Sequence, residues 1–386
     1  MSKIWSFRAL DTLFFRDGTP LNQGDPGSVH PRGLFPPMMN TLQGAVRTVL
    51  AIGRGWRPGE GGKHVPLPKE LGNADHPGDL QLTGPWLRFG EERLYPAPLV
   101  LFGKRLESGD WKLVRLAPGR DKIRSDLGEH RLPEVQKRVD GGKLQESLWL
   151  TRKGMERVLA GGIPDKGDIR RPDDLWGDEY RVGIGMDRSH RTAMDGHLYT
   201  LTHIRPHRNL RVEIGVGGIP DDWHPEGKRG IPLGGEGRFA ELEVSDMNES
   251  HVLPNMPELR GEGGQIRFTV TLLTPGKFDR FPTNGPVTEP VGTRRALING
   301  PLQDPAFRLI SASVGKMLRV GGWDLEHRKP RPLAPFVPAG TAWFYTADVS
   351  EASRIADLHG SFVGLDTNFG YGQIAIGMWH EQEERQ

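Results

Sequence analysis

The sequence predicts an α+β protein built mainly from antiparallel sheets, and two observations lead to this fold class. Gly (52) and Pro (32) are abundant among the 386 residues, and both residue types interrupt helices. Many short segments alternate apolar and polar residues with the period of two that is typical of strands, whereas few have helical periodicity. The sequence therefore disfavours an all-helical bundle.

The first element is expected to be a strand over residues 4–15, because Trp5 and Phe7 alternate with polar residues. A helix is expected to begin near FPPMMNT, with Asn40 or Thr41 as its N-cap. One face of this helix carries apolar residues at helical spacing, namely Leu42, Ala45, Val46, Val49 and Leu50. Gly53 is expected at its C-terminal cap.

The N-terminus of that helix is a candidate anion site, because free backbone N–H groups there favour phosphate. Asn40, Thr41 and Gln43 belong to its first turn, and Arg47 lies off the apolar stripe, where it could add a positive charge. The chain from 53 to 90 is rich in Gly, Pro and charged residues, so we expect an insertion there. A second insertion is expected near 103–150, where basic residues exceed acidic ones.

In the middle of the chain, WLTRKGMERVLAGG predicts a short helix capped by Thr151. The segment 179–206 predicts two strands joined by the loop MDRSHRTAMDG. Further strands are expected at FAELEV, QIRFTVTLL, FRLISASV, TAWFYTA and QIAIGMW, with a short helix at EASRIADLH. In QIRFTVTLL, one face is apolar and the other carries Arg267, Thr269 and Thr271.

Composition excludes several classes of protein. The 51 Lys and Arg residues nearly balance the 49 Asp and Glu residues, so a histone-like cationic protein is excluded, although a local basic groove is not. Cysteine is absent, which rules out disulfides, thiolate nucleophiles and Cys-ligated zinc. No apolar run suits a signal peptide or a membrane span, so we expect a cytoplasmic protein with no membrane partner.

Signals for catalysis or cofactors are weak. The phosphate-loop pattern, G-x-G-x-x-G and G-x-S-x-G are all absent. His203 and His207 have the i, i+4 spacing of a helical metal pair, but Pro206 lies between them in a β-type pattern, so no metal site is predicted. We therefore expect no cofactor and assign no catalytic residue.

A stretch rich in arginine is the most informative feature. Residues 181–211 contain six Arg, two Asp and no Lys, and the planar guanidinium suits phosphate and stacks on bases. Arg188, His190 and Arg191, at the tip of the expected hairpin, are candidate contacts because they could reach into a nucleic-acid groove. A solvated hairpin with surface arginines is the alternative interpretation.

Two Gly-rich turns, LGGEGR and NFGYG, complete the candidate site. Glycine lets backbone N–H groups approach phosphate closely, and an adjacent arginine adds positive charge. Arg238, Gly370 and Gly372 are therefore candidate residues for binding phosphate. Tyr371 could stack on a base. Simple turns are the alternative for both segments.

Taken together, six segments resemble the Cmr3-type RAMP subunits of type III-B CRISPR effector complexes. They are LDTLFFRDGTPL, FPPMMNTLQGAVRT, EYRVGIGMDRSHRTAMDGHLYTLTHIRP, LGGEGRFAEL, GGWDLEHRKPRPLAPFVPAGTAWFY and NFGYGQIAIGMW. They span nearly the whole chain and follow the order of the family. The first segment and the VPAG segment are specific in combination, whereas a single Gly-rich turn is not.

The resemblance implies two ferredoxin-like (RRM-like) domains with long insertions and antiparallel sheets, which we place at 1–215 and 216–386. It implies a non-catalytic subunit that holds the 5′ repeat-derived tag of the CRISPR RNA. It also implies docking of the large polymerase-like subunit and of an adjacent backbone-type RAMP subunit.

Two alternatives stay open. One is a RAMP endoribonuclease that processes precursor CRISPR RNA, with His30 or His190 as general acid or base. The other is an assembly adaptor that contacts only proteins. Convergence of the Arg-rich hairpin and the Gly-rich turns on one groove would favour RNA contact, whereas scattered positions would favour the adaptor.

Overall fold

The computed structural model describes residues 2–16, 33–57, 67–73, 76–125, 128–187, 189–248, 252–278, 300–324 and 329–381. The helices are α1 (Met39–Gly53), α2 (Arg152–Leu159), α3 (Pro172–Leu175) and α4 (Ala352–Asp357). The first strands are β1 (Lys3–Ala9), β2 (Gln81–Phe89), β3 (Glu92–Pro96), β4 (Leu101–Arg105), β5 (Trp111–Ser125), β6 (Gly128–Val135), β7 (Lys143–Leu144), β8 (Trp149–Thr151), β9 (Ile169–Arg170), β10 (Trp176–Asp187) and β11 (Thr192–Pro206). The remaining strands are β12 (Leu210–Gly217), β13 (Arg229–Pro232), β14 (Phe239–Asp246), β15 (Gly261–Glu262), β16 (Gln265–Leu272), β17 (Arg308–Ser313), β18 (Leu318–Val320), β19 (Trp323–Asp324), β20 (Lys329–Pro330), β21 (Ala334–Phe336), β22 (Ala342–Asp348) and β23 (Ile374–Met378).

These elements confirm the α+β class with mostly antiparallel sheets. The chain divides into two compact units, each assembled from three stretches. Unit 1 comprises residues 1–90, 173–247 and 319–334, and unit 2 comprises 91–172, 248–318 and 335–386. The boundary expected between residues 215 and 216 falls within β12, so the compact units do not follow it. The two ferredoxin-like domains stay a prediction.

Unit 1 contains an antiparallel sheet in the order β13-β14-β1-β12-β2. Trp5 on β1 is fully buried and faces Ile214 on β12 in register. Helix α1 packs against β2 and β13, and its Leu42, Val46 and Leu50 are buried. The predicted apolar stripe therefore forms the contact between helix and sheet.

The N-terminal strand is shorter than expected. β1 ends at Ala9, and the apolar residues Leu13, Phe14 and Phe15 are buried in an irregular segment instead. Leu13 pairs there with Ile204 as an isolated bridge. Apolar character in this segment thus reflects burial and not continued strand structure.

The ends of α1 also differ from the expectation. Met38 is the N-cap and makes no side-chain capping bond, so neither Asn40 nor Thr41 caps the helix. Gly53 is the last helical residue, and the chain turns at Gly55, which has a φ of 80°. A left-handed conformation of this kind favours glycine.

Both expected insertions contain regular structure. Residues 81–89 form β2, which pairs with β12 from Gln81↔Gly217 to Phe89↔Leu210, so this part of the first insertion is a core strand. Residues of the second insertion form the antiparallel sheet β6-β5-β4-β7. The strands in both segments were not predicted, because their charged residues and glycines interrupt the alternation of apolar and polar residues.

Unit 2 also contains the antiparallel sheet β15-β16-β22-β17, with β23 paired to β16. Ile266, Phe268 and Val270 on β16 are fully buried, as predicted, but Thr269 and Thr271 on the other face are buried too. Helix α2 begins as predicted, because the Thr151 side chain accepts a hydrogen bond from the Gly154 backbone N–H.

Candidate nucleic-acid interface

The arginine-rich segment forms the predicted hairpin. β10 and β11 pair antiparallel from Trp176↔Pro206 to Asp187↔Thr192, with a register shift between Ile184 and Met186. The strands extend further than expected, so the connection is much shorter than the loop MDRSHRTAMDG. Arg188 lies outside the described residues.

Side-chain hydrogen bonds organise the tip of the hairpin. The Asp187 carboxylate accepts hydrogen bonds from the backbone N–H (2.8 Å) and hydroxyl (2.6 Å) of Ser189, and lies 2.8 Å from His190 Nδ1. These hydrogen bonds, from Ser189 above all, hold the pKa of Asp187 well below its usual range. Arg191 has a φ of 54°, and His190 and Arg191 are both exposed.

The base of the hairpin is attached to the segment that follows β1. Leu13 and Ile204 exchange backbone hydrogen bonds of 2.8 and 2.9 Å. The Thr12 hydroxyl lies 3.0 Å from His203 Nδ1, and Phe14 stacks on the His203 ring at 5.2 Å. The irregular segment after β1 therefore holds the hairpin in place within unit 1.

The turn LGGEGR joins the same assembly. The Gly235 N–H donates to the Phe14 carbonyl at 2.8 Å. Gly234 has a φ of 83°, and a Cβ atom at this position would lie 2.4 Å from the Phe14 carbonyl oxygen. Glycine is therefore required at position 234, because the backbone of the turn packs closely against Phe14. The same packing brings Arg238 next to the segment after β1.

Three arginines and two carboxylates meet where these segments join. We call this group, Asp11, Glu179, Arg181, Arg205 and Arg238, the arginine cluster. The Asp11 carboxylate lies 3.2 Å from Arg181, 3.1 Å from Arg205 and 3.4 Å from Arg238. The Glu179 carboxylate lies 2.8 Å from Arg181 and 2.5 Å from Arg205. The formal charge of the cluster is therefore positive by one.

The cluster is open to solvent, with half of the Arg205 and Asp11 side chains exposed. Hydrogen bonds from Arg205 and Arg181 lower the pKa of Glu179, while the Thr12 backbone N–H and the arginines lower that of Asp11. Burial, followed by the charges of Arg181 and Arg238, lowers the pKa of His203. The electrostatic environment thus favours anions.

The candidate residues on α1 lie in a different setting. Asn40 donates through Nδ2 to the Gly321 carbonyl at 2.5 Å, and Thr41 is partly buried. Arg47 is only 4% exposed and donates to the Leu71 carbonyl and to Gln43 Oε1, both at 2.6 Å. Burial lowers its pKa to about 10. The expectation that Arg47 adds a surface charge is therefore wrong.

The NFGYG loop belongs to unit 2 and is packed inside it. Tyr371 is 5% exposed and lies against Phe336 with ring centroids 4.8 Å apart. The Thr274 hydroxyl donates to the Gly370 carbonyl at 2.8 Å. Gly372 has a φ of 78°, and a Cβ atom there would lie 1.9 Å from the Val363 carbonyl oxygen. Burial of Tyr371 in this conformation argues against base stacking by its ring.

The structure thus brings one Gly-rich turn and the hairpin together within unit 1, whereas the NFGYG loop belongs to unit 2. Sequence reasoning did not single out Asp11, Glu179, Arg181 or Arg205. A signal existed for three of them, because alternation along a hairpin puts residues 179 and 181 on one face with residue 205. For Asp11 no such signal existed, since the segment after β1 is irregular.

Among the described residues, no group of three or more His, Asp and Glu side chains could hold a metal ion. His203 is buried between Thr12 and Phe14. No helix within the described ranges is long and apolar enough to cross a membrane.

The fold places the chain among α+β proteins built mainly from antiparallel sheets, here with an arginine-bearing hairpin. The family model described as CRISPR-associated protein (Cas_Cmr3) matches residues 5–379, so the chain belongs to the Cmr3 family. It is accordingly a RAMP-type subunit of a type III-B CRISPR effector complex. No curated protein matches the chain.

Solved structures similar to this chain come from related complexes. A chain of the type III-B Cmr-beta complex bound to cognate target RNA and AMPPnP is 14% identical, with a TM-score of 0.48, covering 92% of this chain and 88% of that chain. A chain of the same complex bound to cognate target RNA is 15% identical, with a TM-score of 0.47 and coverages of 92% and 89%. A chain of the Csm3-Csm4 subcomplex of the type III-A interference complex is 11% identical, with a TM-score of 0.40 and coverages of 98% and 100%.

Proposed function

We propose that this protein is a non-catalytic subunit that binds the 5′ repeat-derived tag of the CRISPR RNA. It would also dock the large polymerase-like subunit and an adjacent backbone-type RAMP subunit. The arginine cluster is the observation that carries the RNA-binding part, because three guanidinium groups from two distant segments converge there.

The chemistry of the cluster suits a phosphodiester. Each arginine offers a planar fork that matches two phosphate oxygens, and the Glu179 carboxylate holds the forks of Arg181 and Arg205 in place before RNA arrives. Asp11 is half exposed, so a phosphate can replace it as the partner of Arg205 and Arg238. Holding the side chains in advance lowers the entropy cost of binding.

The hairpin extends the site. Arg191 and His190 at its tip are exposed, and Arg188 belongs to the same connection. Substituting both Arg188→Ala and Arg191→Ala should weaken retention of tag RNA and reduce the salt dependence of binding. No change in either quantity would remove the hairpin tip from the RNA site.

The experiment for the cluster is a gel shift that compares tag RNA with scrambled RNA at two salt concentrations, with the protein alone and co-expressed with the large subunit. Arg205→Gln with Arg238→Gln should weaken tag binding at least about tenfold. It should also reduce the slope of log K against log salt by about 1.4, since each phosphate contact contributes about 0.7. The matched control is Arg57→Gln with Arg229→Gln, two exposed arginines of unit 1 outside the cluster.

Equal, salt-sensitive binding to tag RNA and scrambled RNA would contradict recognition of the tag and would indicate only a generic basic surface. A stable complex that binds no RNA would favour the protein-only adaptor. The adaptor has one structural argument, namely an exposed apolar row along β10 formed by Tyr180, Val182, Ile184 and Met186. Rows of this kind mark contact sites for proteins.

The endoribonuclease has less support. His30 lies outside the described residues, and His190 is paired at the tip with Asp187, three positions earlier in the chain. RNA cleavage that is lost in His30→Ala or His190→Ala would establish a nuclease and refute the non-catalytic role.

A further inference from the structure

The hairpin carries an exposed tyrosine on the same face as the arginine cluster. Tyr199 on β11 is directly opposite Gly183 on β10, in the register that also pairs Arg181 with Leu201. Side chains two residues apart on a strand share a face, so Tyr199 is on the face of Arg181 and Arg205. Tyr199 is 45% exposed, whereas Leu201, the next residue on this face toward the base of the hairpin, is 8% exposed. Tyr199 therefore lies where the covered part of this face ends.

The tyrosine ring lies flat on the neighbouring strand. A Cβ atom added to Gly183 would lie 2.3 Å from Cζ of Tyr199 and 2.5 Å from both Cε2 and Oη. Cζ is nearer than the two atoms bonded to it, which is the geometry of a position above the face of the ring and not beside its edge. One face of the ring thus covers Gly183, and the other face points away from the hairpin.

Glycine at position 183 makes this arrangement possible. The backbone there does not have a positive φ, so no turn or left-handed conformation requires glycine. A side chain at this position would instead occupy the space of the Tyr199 ring. The strand therefore supports an aromatic ring with one open face, and such rings are the platforms on which the bases of single-stranded nucleic acids stack.

We propose that the Tyr199 ring stacks on a base of the RNA whose phosphates bind the arginine cluster. This inference rests on the proposed function and adds a base contact to its phosphate contacts. Arg181 comes two positions before Gly183 on β10, which corresponds to ~6.8 Å along the strand. The ring and the cluster are therefore close enough to contact one nucleotide and its neighbour. Every base has an aromatic face, so the platform accepts any base.

A protein is the other class of partner for an exposed tyrosine, and the chemistry of this face disfavours it. The charged residues Arg181 and Arg205 share the face with Tyr199, whereas the cores of protein interfaces are depleted in charge. The exposed apolar row that includes Tyr180 and Val182 alternates with Arg181 along β10 and so lies on the opposite face. A protein that docks on the hairpin would find its apolar contacts there.

The test measures binding of labelled tag RNA to the full chain by fluorescence anisotropy at several salt concentrations. Tyr199→Leu should bind about tenfold more weakly, because it lacks the aromatic face, and Tyr199→Phe should bind like the wild type. The slope of log K against log salt should be unchanged in Tyr199→Leu, since no phosphate contact is lost. The matched control is Tyr180→Leu, which removes an exposed tyrosine from the other face of the hairpin and should bind like the wild type.

A second variant displaces the ring without removing it. Gly183→Ala puts a methyl group where the ring lies, and the flexible tyrosine side chain must move away from the strand. Gly183→Ala should weaken tag binding in the wild-type background but have little further effect in Tyr199→Leu, because both changes act through the same ring. Thermal melts check that each variant is folded.

Weaker binding by Tyr199→Leu at an unchanged salt slope, with normal binding by Tyr199→Phe and Tyr180→Leu, supports the proposal. Unchanged tag binding by Tyr199→Leu would overturn it, including the case in which a protein subunit no longer co-purifies. Equal loss in Tyr199→Leu and Tyr180→Leu would overturn it as well. The proposed function fails separately, if Arg205→Gln with Arg238→Gln leaves both the affinity for tag RNA and the salt slope unchanged.

Discussion

Arg205, near the end of the hairpin, lies 3.1 Å from the carboxylate of Asp11, which follows the first strand of the chain. The same carboxylate lies within 3.4 Å of Arg181 and Arg238. A single acidic side chain thus joins three arginines from two separate segments. In the proposed function it acts as an internal anion that occupies the position of a phosphate until RNA binds.

The first prediction follows from this competition. Asp11→Asn removes the internal anion but keeps the size of the side chain, so tag RNA should bind about three- to tenfold more tightly at low salt. An exposed ion pair contributes about 0.2–1 kcal/mol, so the folded protein should lose little stability. Gel shifts with tag RNA, accompanied by a thermal melt, measure both effects.

Asp246→Asn is a suitable control for that experiment, because Asp246 is an exposed carboxylate paired with a lysine outside the cluster. If Asp11→Asn weakens RNA binding while its melting temperature is unchanged, Asp11 orients the arginines and does not compete with phosphate. The cluster would then need its carboxylate in the bound state.

The cluster shows how far sequence reasoning reaches. The hairpin and the turn at residues 233–238 were predictable, because alternation and glycine content are local signals. Their convergence was not, since it depends on the pairing of Leu13 with Ile204 and on the Gly235–Phe14 hydrogen bond. Both contacts join segments that are far apart in the sequence.

Burial was the other property that the sequence concealed. Arg47 has the helical position of a surface residue, yet its guanidinium is covered and bonded to Gln43 and a backbone carbonyl. Tyr371 follows a glycine in a loop, but its ring packs on Phe336. Whether a polar residue in a helix or an aromatic residue in a turn is buried depends on its tertiary contacts, and the local sequence pattern does not contain that information.

A second prediction concerns acid stability. Burial lowers the pKa values of His203, His224 and His359 below the ordinary value, so the unfolded chain binds protons that the folded protein does not. The stabilising contribution is complete above about pH 6.5 and is lost as the pH falls through the folded-state pKa values. The melting temperature should therefore fall between neutral pH and about pH 5.

The variant His203→Gln tests the contribution of one site. Its melting temperature should be lower than that of the wild type at neutral pH, because the contacts with Thr12 and Phe14 are changed, but it should depend less on pH. Parallel slopes for variant and wild type across this range would show that His203 does not contribute to acid sensitivity.

A third prediction concerns Arg115, in the buried part of strand β5. Arg115 is buried, and burial lowers its pKa to about 10, while its guanidinium bonds the carbonyls of Val158 and Gly162. The Val158 carbonyl keeps the hydrogen bond from the Gly161 N–H, so Arg115→Met should cost about 1–3 kcal/mol for the Gly162 carbonyl, which loses its donor. Chemical denaturation measures the loss. Lys112→Met, at an exposed position of the same strand, should change the free energy of unfolding by less than about 0.5 kcal/mol.

The last prediction separates folding from RNA binding in the NFGYG loop. Gly372 has a φ of 78°, and an added Cβ atom would lie 1.9 Å from the Val363 carbonyl oxygen. Gly263 has a φ of 59°, but nothing lies within 4 Å of its added Cβ atom. Gly263→Ala should therefore lower the free energy of unfolding by only the ~1–2 kcal/mol of a left-handed alanine, whereas Gly372→Ala should lower it more because backbone atoms must also move.

Thermal melts rank the two variants, and tag binding by the folded fraction of Gly372→Ala should match that of the wild type. A stable Gly372→Ala protein that has lost tag binding would instead place this loop in the RNA site.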